Sequence, residues 1–351
     1  MTRIAEFLED EIERQSFPGA SALIGSADSI REEARAGRAA NEPRIESVTE
    51  DTRFDLASLT KVLCTAALGE RLVTADLASP PGRFLDGWKR TRYEGITIRM
   101  LWTHTSGLPA WFPLYARGEG VAAYRRTLTE IELEARPGER VIYSDLNFLL
   151  LGEILEAVAA APLDRAFTQM IAGPAQSAAC FLPGPGIATA ATERDDATER
   201  SMVQARGLSY AHFRSGVVWG EVHDGNAFRR GGVAGNAGLF GTARDVWLLA
   251  RRWLRPYRDE WCGDRTPELP EARGLAWQGT RGAGSAIDRM SSRAFGHTGF
   301  TGTSVWIDPD ADLIAVLLTN RVHPTVKDTN FNEVRRRFHE VVYNEVTGPR
   351  G

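Results

Sequence analysis

Lysine is nearly missing from this chain of 351 residues: 39 of its 42 cationic side chains are arginine, and only Lys61, Lys89 and Lys327 are lysine. On a solvated surface the two are close to interchangeable, so arginine used almost throughout reflects a coding bias. A lysine kept against that bias needs a reason, and what lysine alone does is give up its proton near neutral pH. Cysteine is equally scarce. Cys64, Cys180 and Cys262 form no C-x-x-C or other metal-ligand spacing and no disulfide framework, so they read as free, buried side chains and no metal is expected. No block of one charge is present either. The 42 cationic and 46 anionic residues leave a net charge of −4, which argues against nucleic-acid or membrane-surface binding and for a small-molecule partner. Long apolar runs are also lacking. The longest, FLLLGEILEAVAAAPL from Phe148, is interrupted by Glu153 and Glu156, short of the roughly 18 uninterrupted apolar residues of a membrane span. The opening stretch MTRIAEFLEDEIERQ is acidic and amphipathic, without the basic and apolar regions of a signal peptide, so a cytoplasmic location is expected.

What is present is ordinary globular material, 43% hydrophobic and 25% charged, long enough for about two structural units. Ile4, Phe7, Leu8 and Ile12 recur at helical spacing before FPG at 17–19 stops the helix. GASALIGS and a second extended run through SIREEARAG, parted by Ala27-Asp28, predict a β-hairpin. A helix is predicted from near Ala57 to about Val73, ended by SPPG at 79–82. The middle of the chain reads as helical and irregular, with one strong helix from Asn147 to Val158 and a long surface excursion from Pro183 to Ala211. Strand character returns in GLAWQG (274–279), GHTGFTGTSVWID (296–308) and LIAVLLTNRV (313–322). A last helix, Asn332 to Glu345, carries Val334, Phe338, Val341 and Val342 on one face and turns Arg335 to Arg337 toward solvent. The expected fold is α+β: an antiparallel sheet built from both chain ends and flanked by helices (1–75 and 230–351), with an inserted, mostly helical domain (76–229) and a cleft between them. No internal repeat is visible.

Ser58-Leu59-Thr60-Lys61 sits where a loop enters a helix, so hydroxyl and amine lie one turn apart on the same face. A serine hydroxyl is a poor nucleophile until a neighbour takes its proton, and a desolvated lysine with a lowered pKa does this. In a chain with 17 serines and three lysines a chance Ser-x-x-Lys is expected roughly 0.15 times, so the motif counts for more when its position is included. Lys89 and Lys327 have no such setting and read as surface charges. Tyr143-Ser144-Asp145 is either an ordinary helix N-cap or a polar corner of a site. His297-Thr298-Gly299 puts an imidazole on a strand beside a glycine, where a ligand could lie against the backbone, or where a histidine is simply structural.

Taken together and in this order, the three elements resemble the serine β-lactamase and penicillin-binding-protein superfamily, and within it the branch of class C β-lactamases, D-Ala-D-Ala carboxypeptidases and related esterases. FDLASLTKVLCT, ITIRMLWTHTSGLP, PGERVIYSDLNFLLLGEILE, GEVHDGNAF, GGVAGNAGLFGTARDV and FGHTGFTGTSVWIDP all look like that family. The segment from Pro183 to Val217 resembles it least. The resemblance implies the β-lactamase/transpeptidase fold, an acylated nucleophile at Ser58, its proton partner at Lys61, and a proton relay at Tyr143 that activates the deacylating water. It also implies an oxyanion hole made by the backbone N–H groups of Ser58 and Phe300, substrate contacts from Asp145, His297, Thr298, Gly299 and Phe300, and no cofactor.

Two departures bear on substrate. His297 stands where family β-lactamases generally have lysine, and Asp145 where they have asparagine. Histidine carries less positive charge at pH 7 and a carboxylate cannot donate, so binding of a penicillin's carboxylate and amide is weakened. The expected activity is therefore hydrolysis of a small ester or amide. A D-alanyl-D-alanine carboxypeptidase or weak β-lactamase is the alternative, and a non-catalytic binding protein on the same scaffold is a further one. His104-Thr105-Ser106-Gly107 is explained by turn chemistry, and His223-Asp224-Gly225-Asn226 reads as a loop bordering the cleft. Ser144-Asp145 offers a competing register, disfavoured because Leu146 follows. Trp102 and Trp111 are open between core and pocket lining. The oligomeric state is not legible.

Overall fold

The structure is a computed structural model and describes residues 2–88, 93, 95–118, 120–327 and 329–348. Among the described residues ten strands occur in chain order: β1 Gly19–Gly25, β2 Ile30–Ala40, β3 Glu46–Ser47, β4 Phe54–Asp55, β5 Cys180–Phe181, β6 Leu239–Gly241, β7 Gln278–Gly279, β8 Phe295–Thr298, β9 Ser304–Asp308 and β10 Leu313–Thr319. Seven of them form one sheet in the order β3-β2-β1-β10-β9-β8-β7, with every neighbouring pair antiparallel. Its middle joins the two ends of the chain, with Leu23 opposite Val316 and Ala22 opposite Leu317. A small sheet, β4-β6-β5, lies apart from it.

Both β1 and β10 are buried along their whole length, because helices cover both faces of the sheet. Side chains alternate across a strand. Ala20, Ala22 and Ile24 with Leu313, Ala315 and Leu317 face the first helix (Arg3–Glu13) and the last (Phe331–Thr347), packing on Ile4, Leu8, Phe338 and Val342. Leu23, Val305, Ile307, Ile314, Val316 and Leu318 face the helix Ala243–Leu254 and join a larger core that runs on into the helical part of the chain. Covering on both sides explains why these strands read as continuous apolar runs rather than alternating ones. The helix Asp145–Ala159, which is central to that larger core, buries Leu146 through Leu155. Among the described residues no single helix is long and apolar enough to cross a membrane.

Several expectations need correction. The run 296–308 is not one strand: β8 and β9 are joined by a turn at Gly299–Thr303, closed by Gly299 N–H to the Thr303 carbonyl at 2.8 Å and Gly302 N–H to the Gly299 carbonyl at 3.1 Å. The excursion from Pro183 to Ala211 is not only surface, since it holds the helix Ala197–Ala205 and buries Ala190, Ala191, Glu193, Glu199 and Val203. Arg335 does not face solvent; it is 6% exposed. Cys180 is only half-buried, whereas Cys64 and Cys262 are buried as expected. Lys89 lies outside the described residues, while Lys327 is exposed and donates to the Gln15 carbonyl.

Candidate active site

The site begins at a strained turn. After β4 the chain must reverse into a helix, and Ala57 takes it through a left-handed φ of 47°, an unfavourable conformation for a residue with a Cβ. The Asp55 carboxylate holds the turn by accepting the Ala57 N–H at 2.8 Å and the His223 N–H at 2.7 Å. Ser58 then stands half-buried at the head of the helix, whose next residues, Lys61–Thr65, are wound as a π-turn before Ala66–Leu72 continues as α-helix. Lys61 Nζ lies 2.8 Å from Ser58 Oγ, 3.0 Å from the Asn236 carbonyl oxygen and 2.6 Å from Asp145 Oδ1.

The expected lowering of the lysine pKa does not occur. Burial is the largest influence on Lys61 and pushes its pKa down, but the Asp145 carboxylate, with Tyr143, outweighs it and leaves Lys61 above the ordinary lysine value. At neutral pH Lys61 is therefore an ammonium. Asp145, expected as a substrate group, lines the cleft and at the same time holds Lys61.

Tyr143 packs half-buried against both. Its pKa is raised, mainly by burial, while Lys61 and Ser58 pull the other way; Lys61 Nζ is 5.2 Å from its ring centre. Behind it lies His104, fully buried at a left-handed φ of 58°, with its ring centre 4.7 Å from that of Tyr143. His104 Nδ1 accepts the Ser144 N–H at 2.9 Å. Ser144 Oγ donates to the Pro109 carbonyl at 2.6 Å and Ser106 Oγ to Asn147 Oδ1 at 2.6 Å, so both hydroxyls are committed to the fold. The turn chemistry read at residues 104–107 therefore also seats the phenol.

On the opposite wall, His297 on β8 is 3% exposed, and burial, then Lys61 and Arg273, hold its pKa well below the ordinary value. His297 Nδ1 is 2.9 Å from the Thr298 carbonyl oxygen. A carbonyl only accepts, so Nδ1 carries the proton and the buried Nε2, which has no partner, is an acceptor. Gly299 leaves room for nothing larger: a Cβ there would lie 2.1 Å from Thr303 Oγ1 and 2.8 Å from the Leu56 carbonyl oxygen. Thr301 and Thr303 tie this turn to the Ser58 turn through the Asp55 and Leu56 carbonyls at 2.8 and 3.0 Å. Phe300 lies in the turn, 42% exposed, with its ring stacked on His223 at 5.5 Å. Among the described residues the backbone N–H groups of Ser58 and Phe300 meet no acceptor.

These groups line one cleft of about 440 Å³, which brings together Ser58, Tyr143, Asp145, His297, Thr298, Gly299 and Phe300; Lys61 lies just beneath, fully buried. Trp111 and His223 also line it, whereas Trp102 belongs to the core against Trp261 and Phe148. Sequence reasoning missed Asn236, Arg273 and Glu199, whereas Asp224 lines the cleft beside His223, as expected of the loop at 223–226. The Asn236 amide is buried in the cleft wall with neither Oδ1 nor Nδ2 completing a hydrogen bond. Arg273 is 3% exposed, pairs through Nη2 with Glu271, and has no partner for Nε or Nη1; its guanidinium stands 5.4 Å from the Tyr143 ring centre. Glu199, bonded to the Tyr115 hydroxyl, is pushed up to about 7, mainly by burial. Only GGVAGNAGLFGTARDV, already family-like, pointed near Asn236. Among the described residues no group of three or more His, Cys, Asp and Glu is placed to hold a metal ion.

Comparison with known proteins gives three kinds of match. The Beta-lactamase family model matches residues 4–338. A putative D-alanyl-D-alanine carboxypeptidase of Salmonella agona (strain SL483) is 31% identical over 323 residues, 81% of this chain and 73% of that one. An N-acetylmuramyl-L-alanine amidase of Bacillus subtilis (strain 168) is 33% identical over 318 residues, 80% of this chain and 70% of that one. The solved structure of EstCE1, a hydrolase with promiscuous acyltransferase activity, superposes with a TM-score of 0.72 at 20% identity, covering 97% of each chain.

Proposed function

The chain belongs to the beta-lactamase family, and we propose that this hydrolase cleaves a small ester or amide through an acyl-enzyme on Ser58. Ser58 Oγ attacks the carbonyl carbon and its proton passes to Lys61 Nζ. To accept it, Lys61 first gives one of its own protons to Asp145 along their 2.6 Å contact. That exchange turns ammonium and carboxylate into amine and acid without changing net charge, and water excluded by substrate favours the uncharged pair. The new oxyanion takes the N–H groups of Ser58 and Phe300. Tyr143 gives its proton to the leaving group and regains one from Lys61; in deacylation it passes that proton back to the neutral Lys61 as it takes one from the attacking water, and Lys61 returns a proton to Ser58 Oγ as the acyl group leaves. His297, neutral and presenting only an acceptor to the cleft, offers neither charge nor donor to an anionic substrate group on the β8 side, which favours an uncharged substrate. We read the cleft as lying between the sheet unit (1–75 and 230–351) and the helical unit (76–229), since its lining is drawn from both.

The observation that carries this reading is the row Ser58 Oγ, Lys61 Nζ, Asp145 Oδ1, closed at 2.8 and 2.6 Å around a fully buried Lys61. Arg273 favours a second reading: two unpartnered guanidinium nitrogens beside Tyr143 would receive a leaving group's carboxylate, as a D-alanyl-D-alanine carboxypeptidase requires. One experiment addresses both. The protein is labelled with a fluorophosphonate, mapped by peptide mass spectrometry, and assayed on p-nitrophenyl esters, a D-Ala-D-Ala peptide and a chromogenic cephalosporin. Label on Ser58, ester turnover well above cephalosporin turnover, and loss of both label and turnover in Ser58→Ala are expected. Faster release of D-alanine than of p-nitrophenol would favour the second reading, and label on Ser144 or Ser106 would sink the assignment.

A further inference from the structure

Arg335 is the fifth residue of the last helix, next to two arginines that do face water, yet it is 6% exposed. Its Nη2 donates to the Gly299 carbonyl at 2.8 Å and to the Thr303 carbonyl at 3.2 Å, and Nη1 to Asn332 Oδ1 at 2.9 Å. Nε has no partner. Burial, with Arg321 adding repulsion, pushes its pKa down to about 9, and among the described residues no acid opposes them. A buried guanidinium without a counter-charge is costly to fold.

The contact with Gly299 gives that cost a use. The Gly299 carbonyl and the Phe300 N–H are two ends of one planar peptide group. A cation bonded to the oxygen draws amide electrons toward it and makes the N–H a stronger donor. Arg321 Nε donates to the Phe300 carbonyl at 3.0 Å, so the peptides on both sides of Phe300 are gripped by arginines. We propose that Arg335 is a positioning residue for the oxyanion hole: it orients and polarises the Gly299–Phe300 peptide, and its charge finds its counter-charge when the tetrahedral oxyanion forms at the Phe300 N–H. The inference rests on Phe300 being an oxyanion donor in the reading above.

The test compares the full chain with Arg335→Gln, Arg335→Lys and Ser58→Ala. It measures kcat and KM on p-nitrophenyl butyrate, the affinity of phenylboronic acid, which forms an anionic tetrahedral adduct on a serine, and Tm. Arg335→Gln is expected to lose about tenfold or more in kcat, below the cost of deleting an oxyanion donor outright. Its KM should stay within about threefold, its boronate affinity should fall in step with kcat, and its Tm should be unchanged or higher because an unpaired buried charge is gone. Arg335→Lys should recover most of the rate. A kcat in Arg335→Gln equal to wild type, or a fall in kcat with boronate affinity intact, overturns the proposal. Should Arg335→Gln not fold, Asn332→Leu decides in the same way: by removing the acceptor of Nη1 it is expected to lower kcat several-fold at constant KM, and an unchanged kcat overturns the idea. Ester turnover surviving in Ser58→Ala would instead defeat the acyl-enzyme reading, whereas a dead Ser58→Ala beside an unaffected Arg335→Gln rejects this inference alone.

Discussion

In the proposed mechanism, the proton held between Lys61 and Asp145 decides at what pH the site works. Burial drives the Lys61 pKa down and Asp145 is the strongest of the groups driving it up. Replacing that carboxylate leaves burial in control, so in Asp145→Asn the lysine loses its proton at lower pH. The ascending limb of log kcat/KM against pH is expected to move to lower pH in this variant. Lys61→Arg, which keeps a charge that cannot be given up, should cost on the order of 10² or more at every pH. A limb that stays in place would show that Asp145 does not govern Lys61. The Ser58 and Lys61 pairing was legible because it is local, three residues along one helix, and lysine was conspicuous by its rarity. That Asp145 would meet Lys61 was not legible: it depends on the helix Asp145–Ala159 crossing the π-turn at Lys61, and the substituted carboxylate was read as a loss of hydrogen-bond donors rather than as a partner for a cation. Arg273 and Asn236 stayed hidden for the same reason, since only the folded chain leaves their polar atoms buried without partners.

Among the elements, the turn Gly299–Thr303 carries the most consequence. It is pinned from one side by Thr301 and Thr303 on the Ser58 turn and from the other by arginines of the last helix and its approach. Gly299→Ala would drive a methyl group into Thr303 Oγ1 and the Leu56 carbonyl, an overpacking worth about 1–3 kcal/mol. A drop in Tm is expected, together with a fall in kcat because the Phe300 N–H shifts with the turn. Adding Thr303→Ala, which removes one of the two clashing atoms, should recover part of the Tm; a double variant no better than the single would place the strain elsewhere. Glycine at 299 signalled close approach in the sequence, but the β-branched residues around it masked the turn and made two strands read as one. Helical periodicity likewise put Arg335 with Arg336 and Arg337, because a one-dimensional pattern does not register a loop that descends onto one position of a helix. The excursion after Pro183 hid the helix Ala197–Ala205, whose short apolar face serves the cleft wall rather than a repeating core.

For the whole molecule, the architecture was legible from strand character at both ends and helix between, and the family resemblance supplied the topology that periodicity alone could not. What ties the ends is partly ionic. Glu11 on the first helix accepts from Arg337 on the last at 2.8 and 3.0 Å, and from Arg14 and Ser16. Burial, the largest single influence, pushes its pKa up, yet these bonds together hold it below the ordinary value. A group depressed in the folded state stabilises above its unfolded pKa and loses that contribution as pH falls through the folded one. Glu11→Gln is therefore expected to have a lower Tm than wild type at pH 7, with the gap closing as the pH falls below the ordinary glutamate range; a constant gap would count against the ion pair. The sheet itself has a kinetic corollary. β1 is flanked by β2, its neighbour in sequence, and by β10, which follows almost the whole intervening chain. During synthesis the GASALIG strand leaves the ribosome long before its second partner exists, and its apolar edge stays open for that interval. Productive folding of this protein is thus a contest between late strand closure and early association with other chains, and it is won by whatever shields that edge in the meantime.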